Sequence, residues 1–218
     1  MSPEPGLRVG FVPGVILRKW RTIFEERYPS VPIGLVEVAE AAVRETLDAG
    51  VVDFVFARLP VATDGVHVIR LYDEVPVVWV SKDHPISLFD EVAASDLSAE
   101  RVLTEVSPSS IDQVVDGEAV LRVPLSVART ESRRDLVYRP VVDAEPTTIA
   151  LVWSVDNENT SLDDFIGVVR GRTANSSRSA RPSPEPREAK PAPRRPPAKN
   201  PPRAGAARPR PPRRGRRG

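Results

Sequence analysis

The sequence predicts an α/β fold built around a parallel sheet, and three observations carry that prediction. From Leu7 to Pro60 β-rich runs alternate with helix-patterned runs, in the order strand, helix, strand, helix, strand. Proline or glycine punctuates the boundaries within that stretch. The run Val51 to Leu59 is nearly all apolar, as expected of a strand covered on both faces. Strands and helices alternating at this spacing form right-handed βαβ units, whose ligand crevice lies beyond the carboxyl ends of the strands.

Each element has its own warrant. Leu7, Val9, Phe11 and Val12 make a short strand, broken by Pro13-Gly14. Ile16, Leu17, Trp20, Ile23, Phe24 and Tyr28 recur at helical spacing, with Arg18, Lys19, Arg21, Glu25 and Glu26 on the opposite face. Pro29 ends that helix, because proline disfavours helix in the residue before it. Ile33 to Val38 is the second strand, Ala41 to Ala49 a short helix closed by Gly50, and Val51 to Leu59 the third strand. Strands are expected over Val66 to Leu71 and Val75 to Ser81, with a turn at Asp73-Glu74 between them. Ser95 or Ser98 caps a short helix, and Arg101 to Val106 reads as a strand. Ile111, Val114 and Val115 mark a turn or two of helix before Gly117, Val120 to Pro124 a short strand, and Ser126 to Arg129 another helical turn. Asp135 to Val142 and Thr147 to Trp153 are strands. Leu162, Phe165, Ile166 and Val169 form a helical stripe, with Thr160 or Ser161 as cap and Asp163-Asp164 at the positive end.

Charge divides the chain. Arg170 to Gly218 carries sixteen Lys/Arg against two Asp/Glu, whereas the preceding residues carry fifteen against twenty-eight. An acidic body joined to a basic tail points to a polyanion partner for the tail, or to a tail that neutralises its own body. From Thr173 onward Ser, Pro, Arg, Ala and Gly dominate, which predicts disorder because too little apolar surface is available to offset the ordering entropy. The chain has no cysteine, which excludes disulfides, thiolate catalysis and cysteine-ligated zinc. The N-terminus shows no signal-peptide pattern and no stretch has the length of a membrane span, so a cytoplasmic protein without membrane contact is expected. G-x-S-x-G, Walker-type G-x-x-x-x-G-K-[ST], H-E-x-x-H and G-x-G-x-x-G are all lacking, so neither an enzyme nor a cofactor or metal site is predicted.

The run LRVGFVPG through YPSVPIGLVEV to FARLP, followed by LYDEVPVVWVSKDHP, resembles the effector-binding (substrate-binding) domain of LysR-type transcriptional regulators. The resemblance extends from Leu7 to about Thr173, and SVAR, DLVYRPV and TTIALVW are similar to the C-terminal part of actinobacterial members. It implies a type II periplasmic-binding-protein-like fold, in which two Rossmann-like lobes are joined by crossing strands around a small-molecule cleft. The expected organisation is an arm at 1–6, a receptor-like domain at 7–172 and a tail at 173–218. The first lobe comprises about 7–66 and 147–172, and the second about 75–146. Full-length members open with a winged helix-turn-helix. Here the resemblance begins at residue 7, so that module is expected to be absent. In the second lobe VVDGEAV keeps Gly117 but has Ala119 where the family's second glycine falls, and less chain than usual separates Val106 from Asp135. A trimmed second lobe is therefore expected.

The expected site lies at the strand ends: Pro13-Gly14-Val15, Val38-Ala39-Glu40 and Arg58-Leu59, with Ser126 opposite. Arg58 either binds an effector carboxylate through its planar fork or pairs with a neighbour such as Glu37 or Glu40. The amides at Pro13-Gly14-Val15 either hold an anion at the helix start or form a plain turn. The family's loops after the first two strands often offer Ser or Thr, whereas this chain has Pro13-Gly14 and Ala39-Glu40. Ser126 either faces the cleft or caps its helix, and His84 reads as a solvated loop histidine. The resemblance implies a small organic anion as effector. It also implies dimerisation through Ile16 to Tyr28 and Ile33 to Val38, with a second copy or a related regulator. Arg208, Arg210, Arg213, Arg214, Arg216 and Arg217 are the tail residues expected to meet DNA or RNA phosphates. Two other readings stand beside this one. One is a nucleic-acid-binding accessory protein acting through the tail; the other is a truncated regulator without activity of its own.

Overall fold

In the computed structural model, residues 6–131 and 133–171 are described, all within the first of two units, 1–178 and 179–218. Two separate sheets organise them. The first begins as the sequence predicts: β1 (Leu7–Phe11) runs parallel to both β2 (Ile33–Glu37) and β3 (Phe54–Arg58). Helix α1 (Arg18–Arg27) connects β1 to β2, and a 3₁₀ turn (Glu40–Ala42) with α2 (Val43–Asp48) connects β2 to β3. The strand order is β2-β1-β3-β9-β4, where β4 is Val66–Glu74 and β9 is Thr147–Ser154, both antiparallel to their neighbours.

Packing explains the placement of α1 and of the closing helix α5 (Leu162–Val169). Phe165 on α5 meets Phe24, Phe54 and Phe56 at ring-centroid distances of 5.5, 5.2 and 6.1 Å. Trp20 stacks on Phe56 at 4.8 Å. These aromatic contacts fuse both helices to one face of the sheet, each pair adding to its area burial. Tyr28 at the end of α1 donates its hydroxyl to Asp164 in the first turn of α5, 3.0 Å away. Burial, followed by that carboxylate, holds the Tyr28 phenol above its ordinary pKa.

The second sheet has the order β6-β7-β5-β8, from β5 (Pro76–Ser81), β6 (Val102–Leu103), β7 (Val120–Pro124) and β8 (Leu136–Pro140). Period-two alternation splits its core in two. Val77, Trp79, Leu121 and Val123 pack with α3 (Pro108–Val115) and α4 (Leu125–Thr130). Val78, Val80 and Val120 pack with Ile86, Val92, Leu97 and Val141 on the other face. The second lobe therefore closes a hydrophobic core on each side of its sheet.

Several expectations need correction. The third strand starts at Phe54 rather than Val51, because Gly50 turns with φ +60° and the Val51 amide closes on the Thr46 carbonyl. Arg101 to Val106 contributes only the two residues of β6. Neither Ser95 nor Ser98 caps the helix at Ala94–Leu97; the Asp96 carboxylate accepts from the Ala93 amide instead. At α5 the residue before the helix, Ser161, makes no side-chain cap, and the Asn159 side chain accepts from the Ser161 amide. Asp73-Glu74 is strand, not turn: β4 continues to Glu74, paired with Thr147 of β9. Among the described residues no helix is long and apolar enough to cross a membrane. The arm residues 1–5 and the tail from 172 lie outside the described residues.

Candidate functional site

The chain leaves the first sheet at Glu74 and re-enters it at Thr147, so two adjacent strands carry both crossings between the sheets. Between the sheets lie two neighbouring hollows. One, about 490 Å³, is lined by Pro13, Gly14, Ala39 and Glu40 from the first lobe and by Val123 and Val127 from the second. The other, about 570 Å³, has Arg58, Glu40 and Thr147 on one side and Arg122, Asp143 and Glu145 on the other. Both lie beyond the carboxyl ends of β1, β2 and β7, the place where open α/β sheets put their ligands.

Arg58 sits beneath this cleft as the hub of a hydrogen-bond network. Its side chain is 6% exposed. Nε donates to Glu74 Oε2 at 2.6 Å and Nη2 to Glu74 Oε1 at 3.2 Å, a two-point fork on a carboxylate that is 3% exposed. Nη1 donates to Glu40, and Nη2 also reaches the Pro13 carbonyl at 3.1 Å. Burial works against the guanidinium charge, but hydrogen bonds and charge from Glu74, then Glu40, outweigh it and raise the Arg58 pKa above its ordinary value. Glu74 accepts two further bonds, from Ser126 Oγ at 2.5 Å and from Thr147 Oγ1 at 3.1 Å. One carboxylate thus ties β3, both crossing strands and the second lobe's α4 together.

The other expected residues take different places. Pro13, Gly14, Ala39 and Glu40 line the cleft. Val15 and Val38 are core residues at 5% and 4% exposure, and Leu59 packs against the same core while its amide bonds the Thr148 carbonyl. The amides at Pro13-Gly14-Val15 are a poor anion cradle. Proline has no N–H, the Val15 amide bonds the Val12 carbonyl, and α1 starts only at Arg18. Gly14 has a different role. With φ +88° and Ser126 Oγ only 2.8 Å from where a Cβ would stand, it lets the two lobes touch. Ser126 is not a cap, since its hydroxyl goes to Glu74. His84 is 9% exposed rather than solvated; its Nδ1 accepts from the Ile86 amide and its Nε2 faces Glu100 at 3.4 Å. The six tail arginines lie outside the described residues.

Sequence reasoning missed Glu74, Thr147 and the acidic residues of the second lobe. The signal for Glu74 was available: an arginine at the end of an all-apolar strand needs a buried carboxylate within reach. Of the neighbours expected to pair with Arg58, such as Glu37 or Glu40, Glu40 does so, while the fork on Glu74 was not foreseen.

Comparison with known proteins gives one consistent result. The model of the LysR substrate binding domain family matches residues 2–117. The chain is 25% identical over 203 residues to the Hca operon transcriptional activator HcaR of Escherichia coli (strain K12), covering 78% of this chain and 68% of that protein. It is 32% identical over 114 residues to the HTH-type transcriptional regulator BudR of Raoultella terrigena, a match spanning 50% of this chain and 39% of that one. Among solved structures, the BenM effector binding domain with its effector benzoate superposes with a TM-score of 0.63 at 22% identity, covering 79% of this chain and 96% of that one.

Proposed function

Because the chain belongs to the LysR substrate-binding-domain family, we propose that it is the effector-sensing part of a transcription regulator, taking a small organic molecule into the cleft between its two sheets. The observation that carries this reading is the cleft itself. The ends of β1 and β2 face the end of β7 across an apolar floor of Val123 and Val127, and the connections between the lobes border the adjoining hollow through Pro76 and through Asp143, Glu145 and Thr147. A ligand bridging the lobes changes their relative population of open and closed arrangements only if it contacts both, which this placement allows. The relatives whose names state a role are transcriptional regulators, so we read the chain as a receptor rather than an enzyme, working in the cytoplasm beside DNA. As further parts of this reading, α1 and the edge strand β2 form the surface for a second copy or a related regulator, and the tail arginines contact nucleic acid.

Thermal melting of the full chain against a library of small organic compounds tests the central claim. A binding compound raises the melting temperature by mass action. Ala39→Trp, which fills the hollow from an exposed position, is expected to abolish that rise without changing the ligand-free melt. A rise that persists in Ala39→Trp, or a library with no active compound, refutes the assignment. The segregation of basic residues into 170–218 favours a second reading, in which the tail's nucleic-acid contact is the main activity. Duplex affinity would then fall steeply with salt and be lost on truncation at Thr173.

A further inference from the structure

The resemblance implied an organic anion, whereas the lining of the cleft bears mostly carboxylates. Six carboxylates border the two hollows: Glu37, Glu40, Glu105 and Glu131 around one, and Glu40, Asp143 and Glu145 around the other. Among the described residues only two cations line the hollows, Arg58 and Arg122; Arg58 is bonded to Glu40, and the other three carboxylates of the first hollow, Glu37, Glu105 and Glu131, have no cation in its lining. The fork of Arg58 is closed on Glu74, its remaining nitrogen is on Glu40, and its last contact is the Pro13 carbonyl. An incoming carboxylate would have to break a buried ion pair to reach it, leaving Glu74 unpaired.

Resting on the reading of this cleft as the effector site, we propose that its ligand is an organic cation, an amine or guanidine carried on a short apolar body. The three carboxylates not paired with Arg58 come from both lobes: Glu37 ends β2, while Glu105 and Glu131 belong to the second lobe. A cation placed among them attracts both lobes at once, and a low-dielectric cleft lined by one sign of charge concentrates counter-ions of the other. Val123 and Val127 on the floor supply contact for methylene groups. The charges are spread out rather than gathered: among the described residues no group of three or more acidic or histidine side chains is placed to hold a metal ion. An extended organic cation fits that spacing better than a bare ion.

Calorimetry and thermal melting of the full chain at fixed ionic strength test the proposal, with agmatine and putrescine as cationic probes and benzoate and succinate as anionic ones. Agmatine is expected to bind and to raise the melting temperature, and benzoate to do neither. Glu37→Gln with Glu105→Gln, both exposed and isosteric, should weaken agmatine binding by about tenfold or more, since each removes a unit charge facing the ligand. Asp156→Asn with Glu158→Gln removes the same charge at the opposite end of the first lobe and should leave affinity within about twofold. Equal losses in both pairs would mean diffuse attraction and overturn the proposal. So would binding of benzoate or succinate that Ala39→Trp or Arg122→Gln abolishes; in that case the cleft remains the effector site and only its charge preference is wrong. Neutral library compounds that bind with sensitivity to Ala39→Trp, with agmatine inactive, would have the same meaning. If no probe and no library compound binds, the cleft assignment fails with it.

Discussion

Replacing Arg58 by methionine should be one of the most damaging single changes in the chain. Methionine keeps most of the aliphatic volume but removes the partner of Glu74, whose carboxylate is 3% exposed. The hydroxyls of Ser126 and Thr147 continue to hydrogen-bond it, but neither supplies a positive charge. Breaking a buried pair by removing one partner costs about 3–5 kcal/mol. Glu40 adds little to that figure, because its side chain is 55% exposed and solvent replaces the lost contact. For a chain of this size the loss corresponds to a fall in melting temperature of roughly 6–20 °C. Glu74→Gln leaves Arg58 its bonds to Glu40 and Pro13, and should cost only about 1–2 kcal/mol. The double variant, with a neutral amide in place of the stranded charge, should regain most of what Arg58→Met loses, giving a coupling of about 2 kcal/mol or more. Denaturant unfolding of the four proteins measures each value. A cost below about 1 kcal/mol for Arg58→Met, or additive effects in the double variant, would show that the network does not carry the energy assigned to it.

Three further outcomes follow from the packing. Gly14→Ala and Gly50→Ala both force a side chain into positive φ, at about 1 kcal/mol each, but a Cβ at Gly50 meets nothing within 4 Å while one at Gly14 meets Ser126 Oγ at 2.8 Å and the Val127 amide at 2.9 Å. Gly14→Ala should therefore melt several degrees below Gly50→Ala. Phe165→Ala removes the ring shared by Phe24, Phe54 and Phe56 and should cost about 3–5 kcal/mol in denaturant unfolding. Because the Tyr28 phenol titrates higher in the fold than in the unfolded chain, its contribution is complete below the ordinary tyrosine pKa and is lost as pH rises through the folded value. Stability curves taken above pH about 10 should accordingly fall less steeply in Tyr28→Phe than in the parent.

How far the sequence foretold this depends on whether a feature is local. The first three strands and α1 were legible because each carries its own periodicity, and the Pro29 and Gly50 boundaries act through the residues beside them. The end of β4 was misread because Asp73-Glu74 has turn composition, and only the antiparallel partner Thr147 makes it strand. Arg58 was found because a cation in an apolar run stands out. Its main partner was not, because sixteen residues and an intervening loop separate the two. The acidic lining was illegible for the same reason: Glu37, Glu105 and Glu131 become neighbours of one hollow only once the second lobe is in place.

The position of β9 bears on the order in which the molecule assembles. It lies between β3 and β4, so the first sheet cannot be completed until residues 147–154 have emerged, long after its other strands. All four strands of the second sheet lie within residues 76–140, uninterrupted by any strand of the first. During synthesis the C-terminal neighbour can close first, while the N-terminal half waits with two strand edges unpaired. Such edges recruit other chains until they are covered. Refolding should accordingly show two phases, with the slower one set by insertion of β9, and a chain cut before Thr147 should aggregate through its first half while its second half still folds.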